Sequence, residues 1–124
     1  MLSRGENPAP MTAPADPVSS GALRGTGVVL RDAVAWEELR TLAQLGEEAG
    51  YSAVFVPEIV GREAFGTLAG LAAVTSRIRL GTGVVPMTSR TPVTTAMGAA
   101  TVHDLSGGRL VLGLGTGMPG PAST

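Results

Sequence analysis

The sequence predicts an α/β fold built on a parallel sheet. Three observations lead there. Short apolar runs recur about every 25–30 residues, the length of a βα unit. Those runs are continuous rather than alternating, as in strands covered on both faces. Between them lie segments whose apolar residues repeat at helical spacing.

The elements follow in order. "GTGVVL" (Gly25 to Leu30) reads as strand one. "AVAWEELRTLAQLGEEAG" reads as helix one, with Trp36, Leu39, Leu42, Ala43, Gly46 and Ala49 on one face and Gly50 placed to cap its end. "YSAVFVPE" is strand two, stopped at Pro57. "REAFGTLAGLAAVTS" is helix two, with Phe65, Leu68, Ala69, Ala72 and Ala73 inward. "RIRLGTGVVPMTSRTPV" opens as strand three, with Ile78, Leu80, Val84 and Val85 apolar. Thr91 is placed to N-cap helix three and Pro92 to occupy its first position. Val93, Ala96, Met97 and Ala100 are expected on its buried face. "LSGG" closes it, and "RLVLGLGTG" (Arg109 to Gly117) is strand four. A β-α-β-α-β-α-β order fits either a doubly wound sheet or part of a (β/α)8 barrel.

Composition removes several function classes. The 124 residues carry a formal net charge of −1 and are 44% apolar, so a core is affordable and no basic footprint for nucleic acid or an anionic membrane exists. All cationic residues are arginine. There is no cysteine, hence no disulfide framework or thiolate metal site, in keeping with a reducing cytoplasm. No apolar run reaches the roughly 18–20 residues of a membrane span. Residues 1–22, rich in Pro, Ala, Ser and Gly, read as a disordered leader.

Strand three poses a question. Gly81 and Gly83 sit inside it, where glycine loses packing and costs entropy. Either a bulge lets a flat ligand approach the backbone, or the sheet is too crowded for side chains. "GTGMPG" (Gly115 to Gly120) matches a dinucleotide fingerprint, but Pro119 interrupts the helix that such a site requires.

In a parallel barrel the site lies at the C-terminal ends of the strands. That places Glu58, then Met87, Thr88, Ser89 and Arg90, then Gly115, Thr116 and Gly117 around one mouth. Glu58 has the chemistry to bind a hydroxyl or ring N–H, or to trade a proton. "GLGTG" offers backbone amides and the Thr116 hydroxyl to a phosphate or ring edge. Arg90 has the chemistry to contact a phosphate or an acidic tail, but an arginine beside a helix start is more often solvated, and that is the expectation; Arg62 and Glu63 are expected to serve an ion pair or the start of helix two. His103 and Asp104, at the far end of helix three, fall on the opposite face and are not catalytic candidates. No cluster has metal-ligand spacing.

"GYSAVFVPEIVGREAF", "RIRLGTGVVPMTSRTPV" and "LSGGRLVLGLGTG" together resemble the luciferase-like monooxygenase family, and within it the coenzyme F420-dependent oxidoreductases. The resemblance implies that residues 23–124 are the N-terminal half of a (β/α)8 TIM barrel, a fold of about 250 residues, and so part of a longer protein. It implies a cytoplasmic oxidoreductase that transfers hydride with deazaflavin F420 on a small organic substrate, with FMN-dependent monooxygenation as the alternative. It also implies a bulge in strand three with a non-prolyl cis peptide at Gly83–Val84, backing the central ring of the cofactor. Glu58 matches the family's acidic position near that cofactor. Where some F420-dependent sugar-phosphate dehydrogenases have a catalytic histidine and a glutamate proton donor, this sequence has Ile59 and Met118, which points away from that substrate. Homodimers are common in the family. A reading of another class, a non-catalytic half-barrel module, follows from the open edges that four strands leave at strands one and four.

Overall fold

A computed structural model describes residues 25–31 and 33–117. The leader expected over residues 1–22, Met118 and Pro119 lie outside the described residues. The elements are β1 (Gly27–Val29), α1 (Trp36–Glu48), β2 (Ala53–Val56), α2 (Ala64–Val74), β3 (Arg79–Thr82), β4 (Val85–Pro86), α3 (Pro92–Leu105), β5 (Leu110–Val111) and β6 (Leu114–Gly115). All pairings are parallel, in a four-stranded sheet β1-β2-β3-β5 and a two-stranded extension β4-β6. The strands are ordered in space as in sequence, which is the winding of an opened (β/α)8 barrel and not of a doubly wound sheet.

Each expected strand three and strand four is split in two. Val54 pairs with Leu80 and Phe55 with Gly81, and the ladder then breaks after Thr82. The neighbouring β3–β5 ladder, with Leu80 opposite Leu110 and Gly81 opposite Val111, resumes beyond the break as β4–β6, with Val85 opposite Leu114 and the register shifted by one residue.

One face of the sheet carries the helices. Val54, Val56 and Leu80 are fully buried there against Leu39, Leu68 and Leu71. On the opposite face, the barrel interior, Phe55 lies across the glycines. Its ring carbons would stand 2.5 Å from a Cβ at Gly81, and Gly27 and Gly83 are also close to it.

Helix ends follow local chemistry. The Thr91 hydroxyl accepts the Thr94 N–H and Pro92 opens α3, as expected. Glu63 caps α2 by accepting from the Phe65 and Gly66 N–H groups. Gly50, at φ +85°, closes α1 in the left-handed region.

The α3 face differs from expectation. Thr95, Ala99 and Val102 are its buried residues, whereas Val93, Ala96, Met97 and Ala100 are exposed. Gly98 explains the rotation: a Cβ there would meet the Phe65 ring at 2.6 Å, so α2 docks where α3 has no side chain. Of those exposed residues, Ala96 borders a groove of about 250 Å³ that Met87, Pro92, Thr95, Leu112 and Leu114 also line. In α1, Leu42 and Ala49 are likewise exposed, and the buried stripe narrows to Leu39, Ala43 and Gly46.

The far end of the sheet is tied by two charged side chains. Glu47 accepts the backbone N–H groups of Ser76, Arg77 and Ile78. Arg109 donates to the carbonyls of Ala72, Thr75, Ile78 and Ser106 and to the Thr75 hydroxyl. His103 and Asp104 lie at this end, in the last turn of α3. No described helix is long and apolar enough to cross a membrane.

Candidate functional site

The C-terminal ends of β2, β4 and β6 form the mouth. Its centre is the break between β3 and β4. The Gly83–Val84 peptide bond is cis. The Gly83 N–H donates to the Val56 carbonyl at 2.9 Å and the Val85 N–H to the Gly113 carbonyl at 3.0 Å. Between them the buried Thr82 hydroxyl donates to the Gly113 carbonyl at 2.7 Å and accepts the Gly113 N–H at 2.8 Å. One side chain thus replaces the ladder bonds that the break removes.

Glycine in "GLGTG" is set by the chain from the end of β3 to β4. A Cβ at Gly113 would stand 2.3 Å from the Thr82 carbonyl oxygen, and one at Gly115 would stand 2.7 Å from a Val84 methyl. Gly117 adopts φ +80° beside Pro86. Gly83, Val84, Gly115, Thr116 and Gly117 therefore form one patch: half-exposed valine, open backbone and an exposed threonine.

Glu58 stands at the β2 side of this mouth. Its Oε1 accepts from Arg90 Nη1 at 2.7 Å and its Oε2 from Arg90 Nη2 at 2.6 Å, the paired geometry that makes arginine–carboxylate contacts strong. Oε2 also accepts the Ala64 N–H at 2.7 Å, and Ser89 Oγ lies 3.4 Å from Oε1. Hydrogen bonds from Arg90 hold the Glu58 carboxyl below its ordinary pKa, against the opposing effect of burial. The same contacts raise Arg90. Glu58 is thus a fixed anion near neutral pH.

Arg90 is not the solvated arginine that its place before a helix suggested. Its side chain is 13% exposed. It also bonds Glu63, and its guanidinium carbon lies 5.0 Å from the Phe65 ring centroid. Glu63 serves the α2 start, as expected, and the Arg62 guanidinium donates to the Val34 carbonyl. Met87, Thr88 and Ser89 form an exposed turn after β4. No group of His, Asp or Glu among the described residues could hold a metal ion.

Two site features escaped the sequence reading. Phe55 reads there as one more strand residue, yet its ring is the reason Gly81 lacks a side chain. For Gly81 the crowded-sheet explanation holds. Thr82 is flanked by glycines in "LGTG", a signal that a polar side chain inside a buried strand has backbone to satisfy.

The luciferase-like monooxygenase family profile matches residues 9–124. A putative coenzyme F420-dependent oxidoreductase of Mycobacterium tuberculosis is 45% identical over 78 residues, 63% of this chain and 22% of that protein. The 5,10-methylenetetrahydromethanopterin reductase of Methanolobus tindarius is 38% identical over 76 residues, 60% of this chain and 23% of that protein. The chain thus spans less than a quarter of these relatives' length in the aligned part. Among solved structures, the coenzyme F420-dependent tetrahydromethanopterin reductase of Methanopyrus kandleri superposes with a TM-score of 0.71 at 29% identity, covering 81% of this chain and 28% of that one. The oxygenating constituent of 3,6-diketocamphane monooxygenase of Pseudomonas putida, in complex with FMN, gives 0.71 at 18% identity over 80% of this chain and 31% of that one, a likeness of fold alone. The chain belongs to the luciferase-like monooxygenase family.

Proposed function

We propose that residues 23–124 form the N-terminal half of a luciferase-like barrel that binds deazaflavin F420 and passes hydride between it and a small organic substrate. The glycine-lined patch of β4 and β6 carries this reading. It is partly apolar, with Val84 and Leu114 exposed, it lies at the strand ends where barrels place ligands, and its glycines keep side chains few. The relatives named as F420-dependent support deazaflavin over FMN.

In this reading the Gly83–Val84 backbone lies behind the ring, Gly115 keeps the strand beside it free of a side chain, and Thr116 and Gly117 offer N–H groups and a hydroxyl to its polar edge or phosphate. Glu58 stands beside it as a fixed anion. The cofactor, when bound, supplies the hydride chemistry, and the protein shapes and dries the pocket. Closing that pocket requires the strands that complete the barrel, so the activity belongs to the assembled protein.

Equilibrium titration of the native protein with F420 and, separately, with FMN tests this. Saturable F420 binding tighter than FMN binding is expected. FMN binding alone would replace deazaflavin transfer with flavin monooxygenation. Binding of neither would leave a non-catalytic half-barrel module.

A further inference from the structure

We propose that Arg90 is a positioning residue of this site: by gripping Glu58 it holds the turn after β4, and with it the Val84–Met87 backbone, where the cofactor ring would lie. The inference rests on the reading above.

The contacts form a continuous chain from β2 to β6. Arg90 Nη1 bonds Glu58 Oε1 at 2.7 Å and Ser89 Oγ at 3.1 Å. Ser89 Oγ donates to the Pro86 carbonyl at 2.8 Å, and the Ser89 N–H donates to it at 3.2 Å. The Met87 N–H then reaches the Gly115 carbonyl at 2.7 Å. On its other side Arg90 Nη2 bonds Glu58 Oε2 and Glu63. Both of those carboxylates also cap α2, through Ala64 and through Phe65 and Gly66. One guanidinium therefore joins the end of β2, the start of α2 and the β4 turn.

The geometry demands arginine. Its planar fork reaches both oxygens of Glu58 while its face covers Phe65. A lysine keeps the charge but spans neither pair. The carboxylate that Arg90 grips has both oxygens engaged, so Glu58 acts on the site through this clamp.

Amide hydrogen exchange on the native protein, with Arg90→Met and Arg90→Lys, tests the proposal alongside F420 titration. Both variants should speed exchange at Ala64, Met87 and Ser89 by about tenfold or more. Ser76, Arg77 and Ile78, held by Glu47 at the far end, should not change. F420 affinity should fall by about tenfold or more. Glu58→Gln reads the same contact from the other side if Arg90→Met fails to fold. Uniform acceleration across the protein would make Arg90 a general stabiliser and overturn the proposal. So would faster exchange at the turn with unchanged F420 affinity, or no change at the turn. If the wild-type protein binds no F420, the proposed function fails as a separate result, and Arg90 is then no positioning residue for it.

Discussion

The Thr82 hydroxyl both donates to the carbonyl and accepts from the N–H of Gly113, at 2.7 and 2.8 Å. This single side chain carries the sheet across the gap between β3-β5 and β4-β6. Thr82→Val keeps the shape and removes both bonds, leaving the part-buried Gly113 N–H without the acceptor it has here, while the Gly113 carbonyl keeps the Val85 N–H. We expect a loss of about 1–3 kcal/mol in urea unfolding, and near wild-type stability for Thr82→Ser.

Gly81 and Phe55 form a second interlocked pair. A Cβ at Gly81 would stand 2.5 Å from two ring carbons. Gly81→Ala should cost about 1–3 kcal/mol by overpacking. In a Phe55→Ala background the same substitution should cost much less, a coupling that a double-mutant cycle reads directly. Equal costs in both backgrounds would mean that the ring does not set the glycine.

At the far end, burial works to raise the pKa of Glu47, but hydrogen bonds from the Arg77, Ile78 and Ser76 N–H groups outweigh it and hold the carboxyl below its ordinary value. Glu58 is lowered too, chiefly by Arg90. A lowered folded-state pKa means that the unfolded chain binds more protons in the carboxylate range, so stability rises with pH there. The contribution is complete above the unfolded value of about 4.3 and disappears as pH falls through the folded one. Unfolding free energy measured against pH should show a shallower acid limb in Glu47→Gln and in Glu58→Gln than in wild type.

Arg109 links α2, the segment leading into β3 and the α3–β5 turn through one guanidinium. Arg109→Met should expose the carbonyls of Ala72, Thr75 and Ile78 to poor pairing and lower stability by about 2 kcal/mol or more in thermal unfolding. Arg109→Lys should recover only part, because a single ammonium cannot reach the same set.

Much of this architecture is legible in the sequence because local chemistry determines it. Continuous apolar runs at βα spacing specify parallel strands in order. Thr91–Pro92 marks the α3 start, and the resemblance marks the Gly83–Val84 bond. Periodicity is weaker on which apolar face has a neighbour. In α3 it selects Val93, Ala96, Met97 and Ala100, whereas docking on Phe65 is decided by Gly98, a residue with no hydropathy signal to offer. The Glu58–Arg90 pair is harder still. Its members are 32 residues apart, and only the sheet brings them together. An arginine beside a helix start looks solvated until the fold supplies two carboxylates and an aromatic face.

The most direct test of the account is a crystal structure of the complete protein with bound F420. The account predicts the deazaflavin ring against the Gly83–Val84 backbone, with its polar tail toward Gly115, Thr116 and Gly117 and the Arg90–Glu58 clamp intact beside it. A ring bound elsewhere, or a mouth that holds no cofactor at saturating F420, would contradict it.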